Sequence, residues 1–235
     1  MPIRIIPVDY GNRGLGYNIQ INDDEVSVQE YLDQLNDALL ALELSRSREK
    51  TGVCRGCDGC CGERIPLTSI DLEVLSQNPY VQGKVSQGIG SSVEKLGEII
   101  RRFCHVYVSG RSVDITLRLD PEGKCIFLNK AAKTCSIYEH RPFVCQTFIC
   151  CPASREALEL RESLVNSGED ELVRRWINQA REFSQELLYD EADAPDIDFE
   201  DWKQGPFTGK GNYKEILLKD VLPVSLWNRL RKGIA

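Results

Sequence analysis

Two histidines in 235 residues leave little material for acid–base or triad chemistry. No apolar run approaches the roughly 18 residues that a membrane-spanning helix needs. The start, Met1-Pro2-Ile3-Arg4, lacks the basic-then-apolar order of a secretory leader, so a cytoplasmic chain with no membrane partner is expected. Basic side chains are the minority, 29 against 36 acidic for a net charge of −7, which argues against nucleic acid as the partner. Nucleotide loops are missing as well. Gly11, Gly14 and Gly16 run GxxGxG, the reverse of the dinucleotide fingerprint, and no βαβ unit follows. Gly205-Pro206-Phe207-Thr208-Gly209-Lys210-Gly211 lacks both the spacing of a phosphate loop and its Ser or Thr after the Lys. Cysteine itself is absent before residue 54 and after residue 151.

All ten cysteines therefore crowd into the middle of the chain. Over the whole sequence they amount to about 4%, but between Cys54 and Cys151 to about 10%. In a reducing compartment stable disulfides are rare, and clustered thiols hold metal or do redox work.

The flanks carry ordinary secondary-structure signals. Ile3, Ile5 and Val8, then Tyr17, Ile19 and Ile21, read as short strands. Ser27 with Glu30 is a capping box opening a helix with the stripe Val28, Leu32, Leu35, Leu39, Leu42, and Ser45 to Thr51 ends it. Thr68 or Ser69 caps a short helix that stops before Asn78-Pro79. Ser91 and Glu94 repeat the capping-box signal ahead of Val93, Leu96, Ile99, Ile100 and Phe103. A hairpin is expected from His105 to Val108 and Val113 to Leu119, turning at Ser109-Gly110. Residues 153–189 read helical with a break at Ser167-Gly168, and Leu172, Trp176, Ala180, Phe183 and Leu187 form one face. Residues 190–201, seven of them acidic, read as a solvated linker, and a last short helix covers Val224 to Arg231 as a docking segment.

The fold class expected is α+β: a small, loop-rich cysteine and metal module flanked by helices and short strands. Residues 1–50 form an N-terminal strand–helix unit and residues 51–152 the cysteine-cluster domain. Residues 153–235 form a C-terminal helical segment with an acidic linker and tail.

The first cysteine group is Cys54-Arg55-Gly56-Cys57-Asp58-Gly59-Cys60-Cys61-Gly62. Cysteines three apart place both sulfurs on one ion if the chain turns tightly, and the interleaved glycines permit such turns. Arg55 favours the thiolate. The C-x₂-C-x₂-C spacing matches three ligands of a bacterial ferredoxin run, with Cys61 pointing to the other side. The second group is Cys125, Cys135 and Cys145, then Cys150-Cys151-Pro152, with Cys135-Ser136-Ile137-Tyr138-Glu139-His140-Arg141-Pro142-Phe143-Val144-Cys145 running through it.

This combination, CxxCxxCC followed by C-S-I-Y-E-x-R-P-x-x-C and Phe148, resembles the CxxCxxCC (YkgJ-type) cysteine-cluster family, whose domain is named for zinc or iron chelation. The resemblance covers roughly residues 54–152. It implies Cys54, Cys57, Cys60, Cys61, Cys125, Cys135 and Cys145 as metal ligands, with Cys150 or Cys151 completing eight. The chain departs from the pattern in doubling Cys150-Cys151 and in adding Cys104.

Two Cys₄ zinc sites would consume eight thiols and leave no open position. An iron–sulfur cluster would use the ferredoxin-like triplet, shielded by Ile126, Phe127, Phe143, Val144, Phe148 and Ile149. The first reading is an iron–sulfur protein for electron transfer or redox sensing, with a protein redox or docking partner. The alternative is a structural-zinc interaction module. A third is a cluster-dependent enzyme, similar in its cysteine motif to flagellin lysine-N-methylase. Among neighbouring residues, His140 is expected as an exposed turn residue and His105 as structural. Arg141-Pro142 either stiffens the turn before Cys145 or brings a cation to the metal centre. Metal is expected to supply on the order of ten kcal/mol per structural site to a module with few long apolar elements.

Overall fold

A computed structural model describes residues 1–41, 58–85, 92–184 and 186–232. The chain opens with an antiparallel hairpin, β1 (Ile3–Asp9) against β2 (Leu15–Ile21), in register from Ile3 opposite Ile21 to Asp9 opposite Leu15. Strand alternation puts Ile3, Tyr17, Ile19 and Ile21 on one buried face. That face meets α1 (Val28–Leu40), which starts at the expected Ser27–Glu30 capping box and buries Val28, Leu32, Leu35 and Leu39. Leu42, the 45–51 stretch and Ser91 lie outside the described residues.

Thr68 is the cap of α2 (Ser69–Ser76), its side chain and that of Asp71 closing a second capping box. Asn78-Pro79 ends that helix as expected, and also starts the single turn α3 (Pro79–Gln82), where proline needs no N–H partner. Helix α4 (Ser92–Phe103) buries Ile99, Ile100 and Phe103 and runs directly into β3 (Cys104–Ser109). β3 pairs antiparallel with β4 (Ser112–Leu117), so the turn falls at Gly110-Arg111. A small pair follows, β5 (Leu128–Asn129) with β6 (Thr134–Cys135), then the one-turn helix α5 (Phe143–Thr147).

The long helix α6 (Arg155–Glu182) corrects one expectation. It passes Ser167-Gly168 without a break and ends before Tyr189. Gly168 marks a close approach to another segment: a Cβ there would lie 2.5 Å from Thr68 Cγ2 and 3.1 Å from the Phe207 ring. Leu172 and Trp176 are buried on α6 as its stripe requires, Ala180 is half-buried, and Phe183 is exposed beyond the helix end.

Residues 190–201 are exposed along most of their length, but they do more than span. Glu191–Asp193 form β7, a parallel third strand on β3, and Asp198 and Asp201 grip the Arg111 guanidinium at 2.7–2.8 Å. The 205–211 loop is tied to α6: Phe207 is fully buried, and Thr208 Oγ1 donates to buried Glu171 at 2.7 Å. Arg174 and Arg175 also bond that carboxylate, holding its pKa below the usual range despite burial. Finally α7 (Leu218–Val221) and α8 (Val224–Lys232) return to the start of the chain. Leu218 N–H bonds Val26 O at 2.9 Å, and Leu226 and Leu230 are buried where α8 meets α6 and β2.

The architecture is α+β, with its strands in small sheets. One contiguous cluster of buried side chains joins Ile3 and Leu32, Leu67, Phe127 and Phe143, and Leu160, Trp176 and Leu226. The apolar residues around the cysteines thus pack into a core shared with both ends of the chain. No helix among the described residues is long and apolar enough to cross a membrane.

Candidate metal centre

Short backbone turns bring the two cysteine groups side by side. Cys61 N–H bonds Asp58 O and Glu63 N–H bonds Cys60 O, both at 3.1 Å, which folds the first group onto itself. Its end is joined to the second group by Cys125 N–H donating to Cys61 O at 2.7 Å. Cys125 is bridged in turn to Leu119, and Cys135 pairs with Leu128 across the β5–β6 ladder. Cys145 sits in the middle of α5. That helix is anchored at its N-terminus by Asp71, whose Oδ1 accepts from Phe143 N–H at 2.7 Å and from Tyr213 O–H at 2.8 Å. Burial lifts the Asp71 carboxyl to about 6 against the pull of these bonds. The carboxylate therefore locks α2, α5 and the C-terminal segment together under the cysteines. The capping-box position of Asp71 is legible in sequence; its two distant partners are not.

The thiols of Cys60, Cys61, Cys125, Cys135 and Cys145 share one electrostatic neighbourhood. Cys61 is raised far above an ordinary thiol by its hydrogen bond with Cys60, by burial, and by negative charge on Cys60, Cys125 and Cys135. Burial pushes Cys125 up to about 11, with Cys135 and Cys60 adding to it. Cys145 is raised by burial and then by Cys125, Cys60 and Cys135. Cys135 is raised by burial, opposed by the Ile137 N–H and the Arg141 cation. No disulfide joins any two of the eight described cysteines.

Such a set is unfavourable for thiolates until a cation arrives, and a bound metal inverts that balance. Several features suit the metal-bound form. Soft sulfur is the donor that recurs among the described residues of both groups, and it favours zinc or iron–sulfur chemistry over hard cations. Backbone N–H groups of Phe127 and Ile137 are aimed at the sulfurs of Cys125 and Cys135, two residues upstream of each. Donors of this kind stabilise charge on sulfur. Among the described residues, no three His, Cys, Asp or Glu side chains are gathered tightly enough to hold an ion. Ligand spacing is set by the ion itself, through Zn–S bonds of about 2.3 Å. Cys54 and Cys57 lie outside the described residues.

A family model entitled "Putative zinc- or iron-chelating domain", CxxCxxCC, matches residues 53–163. The middle of this chain is similar to a CxxCxxCC domain. No curated protein and no solved structure gave a match. The match reaches beyond the cysteines into the first turns of α6.

Around the thiols the domain builds an apolar wall. Phe127 is buried, stacked on Phe103 at 5.4 Å between ring centres and edge-on to Tyr80 at 6.0 Å. Ile137, Phe143, Val144 and Ile149 are buried too. Phe148 departs from the expected shield: it is 40% exposed, under the Arg161 guanidinium. His140 is half-buried rather than an exposed turn residue, with Nδ1 3.0 Å from Asn78 Nδ2. Cys104 stands apart from the group. It is fully buried at the start of β3, its thiol pushed up by burial, and its charged neighbours are Arg118, Asp190 and Asp71. Cys151 lies near Tyr10 and Tyr17 of the N-terminal hairpin, where Pro152 O accepts from Tyr17 N–H at 3.0 Å.

Proposed function

We propose that the cysteines hold an iron–sulfur centre used for electron transfer or redox sensing, four thiolates to a cluster, with the ligands drawn from Cys54, Cys57, Cys60, Cys61, Cys125, Cys135, Cys145 and one of Cys150 and Cys151. What supports the reading is that backbone bonds bring both cysteine groups together, Cys125 N–H donating to Cys61 O at 2.7 Å, beside the buried, stacked rings of Phe127 and Phe103. Neighbouring Cys60 and Cys61, bonded to each other, suit a polynuclear centre better than two separated ions. The buried aromatic wall would limit water access and help set the potential, while half-exposed Cys60, Cys61 and Cys135 keep the centre near the surface for a protein redox partner. When bound, the cluster supplies one-electron chemistry. The chain supplies thiolates, N–H donors and a dry flank.

The test is anaerobic purification followed by iron, zinc and acid-labile sulfide analysis. A brown protein absorbing near ~400 nm, with iron and sulfide in stoichiometric amounts and bleached by dithionite, is expected. A colourless protein with stoichiometric zinc and no sulfide would replace this reading with the structural-zinc module. A protein retaining neither metal would end both.

A further inference from the structure

Arg141 lies between Cys135 and Cys145 and is held on three sides. Its guanidinium carbon sits 3.9 Å from the centre of the Tyr138 ring. Its Nη2 donates to Asn36 Oδ1 on α1 at 3.5 Å. Its own carbonyl accepts from Gln146 Nε2 at 2.8 Å, and Gln146 Oε1 accepts from Asn36 Nδ2 at 3.2 Å. Asn36, Gln146 and Arg141 thus close a small ring of hydrogen bonds between the N-terminal helix and the cysteine segment. Within this clamp the Arg141 Nε–H is buried and has no hydrogen-bond partner. Leaving such a donor unmet costs about 1–3 kcal/mol, more on a charged group. The Arg141 charge nevertheless reaches Cys135, where it opposes the effect of burial.

We propose that Arg141 is a fixed counter-charge for the cysteine-bound centre, positioned by Asn36 of α1, and that its buried Nε–H is kept for sulfur carrying negative charge. The inference rests on the iron–sulfur reading above for its redox consequence, but its charge argument applies to any thiolate-bound metal. A guanidinium remains charged at every working pH, so the device is permanent. A cation beside a cluster favours the more negative, reduced state and therefore raises the reduction potential. It also places Asn36, outside the 53–163 match, among the residues that shape the centre. Arg141 and Asn36 act here as positioning residues, through the cluster rather than on a substrate.

The experiment compares wild type, R141Q, R141K and N36A as full chains, purified anaerobically. Iron and sulfide content are measured alongside the midpoint potential from a spectroelectrochemical titration. R141Q is expected to keep its cluster and shift the one-electron equilibrium at least tenfold toward the oxidised state, about 59 mV downward. R141K, which retains the charge, is expected to shift it by less than half as much on a logarithmic scale, and N36A to fall between R141K and R141Q. Equal shifts in R141Q and R141K, or none in either, would overturn the proposal. Should R141Q come out without metal, R141K and N36A decide. Retained clusters with a smaller downward shift in R141K than in N36A support the counter-charge; any other result in that pair overturns it. If wild type holds zinc and no sulfide, the iron–sulfur reading fails separately, and the same variants are compared by zinc release to a chelator. At least tenfold faster release from R141Q than from R141K supports the counter-charge, and equal release overturns it.

Discussion

Cys104 and Cys125 allow the metal's share of stability to be isolated from that of packing. Both are buried, at 0% and 8% exposure, and Cys→Ser makes the same small change at each. Burying a hydroxyl costs about 1–3 kcal/mol, toward the low end where it finds a partner. Both sites offer one. Ile99 O lies 4.0 Å from Cys104 Sγ, and the Phe127 N–H already points at Cys125 Sγ. In metal-free protein each substitution should therefore cost about 1–2 kcal/mol, a melting shift of roughly 2–8 °C for a chain of this size. In metal-loaded protein the two part company. C104S should keep its metal and the same modest cost, because Cys104 sits apart with Arg118 and Asp190. On the proposed assignment C125S removes a ligand, and a structural metal contributes on the order of ten kcal/mol to folding. Its loaded-state loss should exceed that of C104S by several kcal/mol, accompanied by lower metal content. The assay is urea or thermal unfolding of both variants and wild type, with and without prior chelator treatment, beside elemental analysis. Equal metal content and equal loaded-state stability in C104S and C125S would refute the placement of Cys125 among the ligands.

Three further outcomes follow from the packing and the charges. Gly168→Ala should lower stability by about 1–2 kcal/mol in a melting experiment, because a Cβ at 2.5 Å from buried Thr68 outweighs the roughly 1 kcal/mol that alanine gains in a helix; a rise in melting temperature would contradict the close packing. Phe127→Ala should cost about 3–5 kcal/mol and Phe148→Ala less than about 1 kcal/mol, measured by denaturant unfolding; similar costs would place Phe148 in the wall after all. Burial lifts Glu169 from 4.5 to about 7, so the folded state holds its proton more tightly than the unfolded state does. Its contribution is complete below about pH 4.5 and is lost as pH rises through about 7, by up to about 3 kcal/mol at 1.36 kcal/mol per pH unit. Glu169→Gln, whose amide oxygen still accepts from Ile115 N–H, should flatten that slope in unfolding curves between pH 5 and 8, and an unchanged slope would assign the dependence elsewhere.

Features written in adjacent residues were legible in the sequence. The Ser27–Glu30 capping box, the β1–β2 and β3–β4 hairpins and the stop before Asn78-Pro79 each depend on neighbours within a few positions. Gly168 misled because glycine reports the same letter whether it breaks a helix or lets another segment press against it. Only the position of Thr68, a hundred residues away, distinguishes the two. The acidic 190–201 stretch was legible as exposed, but its strand pairing with β3 and its clamp on Arg111 are long-range facts that composition does not encode. The same holds for Phe148, which is apolar in sequence and outward in space.

The cysteine centre divides along the same line. Which elements bind is a matter of chemistry, and soft sulfur at CxxCxxCC spacing narrows the choice before any fold is known. How the bound centre behaves depends on groups that spacing does not reveal. The Phe127 and Ile137 N–H donors follow from two-residue offsets after Cys125 and Cys135, so they are local and travel with the motif. The clamp on Arg141 does not travel with it. Asn36 reaches Arg141 across 105 residues of sequence and Gln146 across 110, from a helix outside the matched residues 53–163. The same cysteine pattern joined to a different N-terminal unit would keep its thiols and lose that contact. The consequence is that metal identity should be common to the cysteine pattern, whereas the potential or lability of the bound centre should be set by what is packed against it, which in this chain is α1.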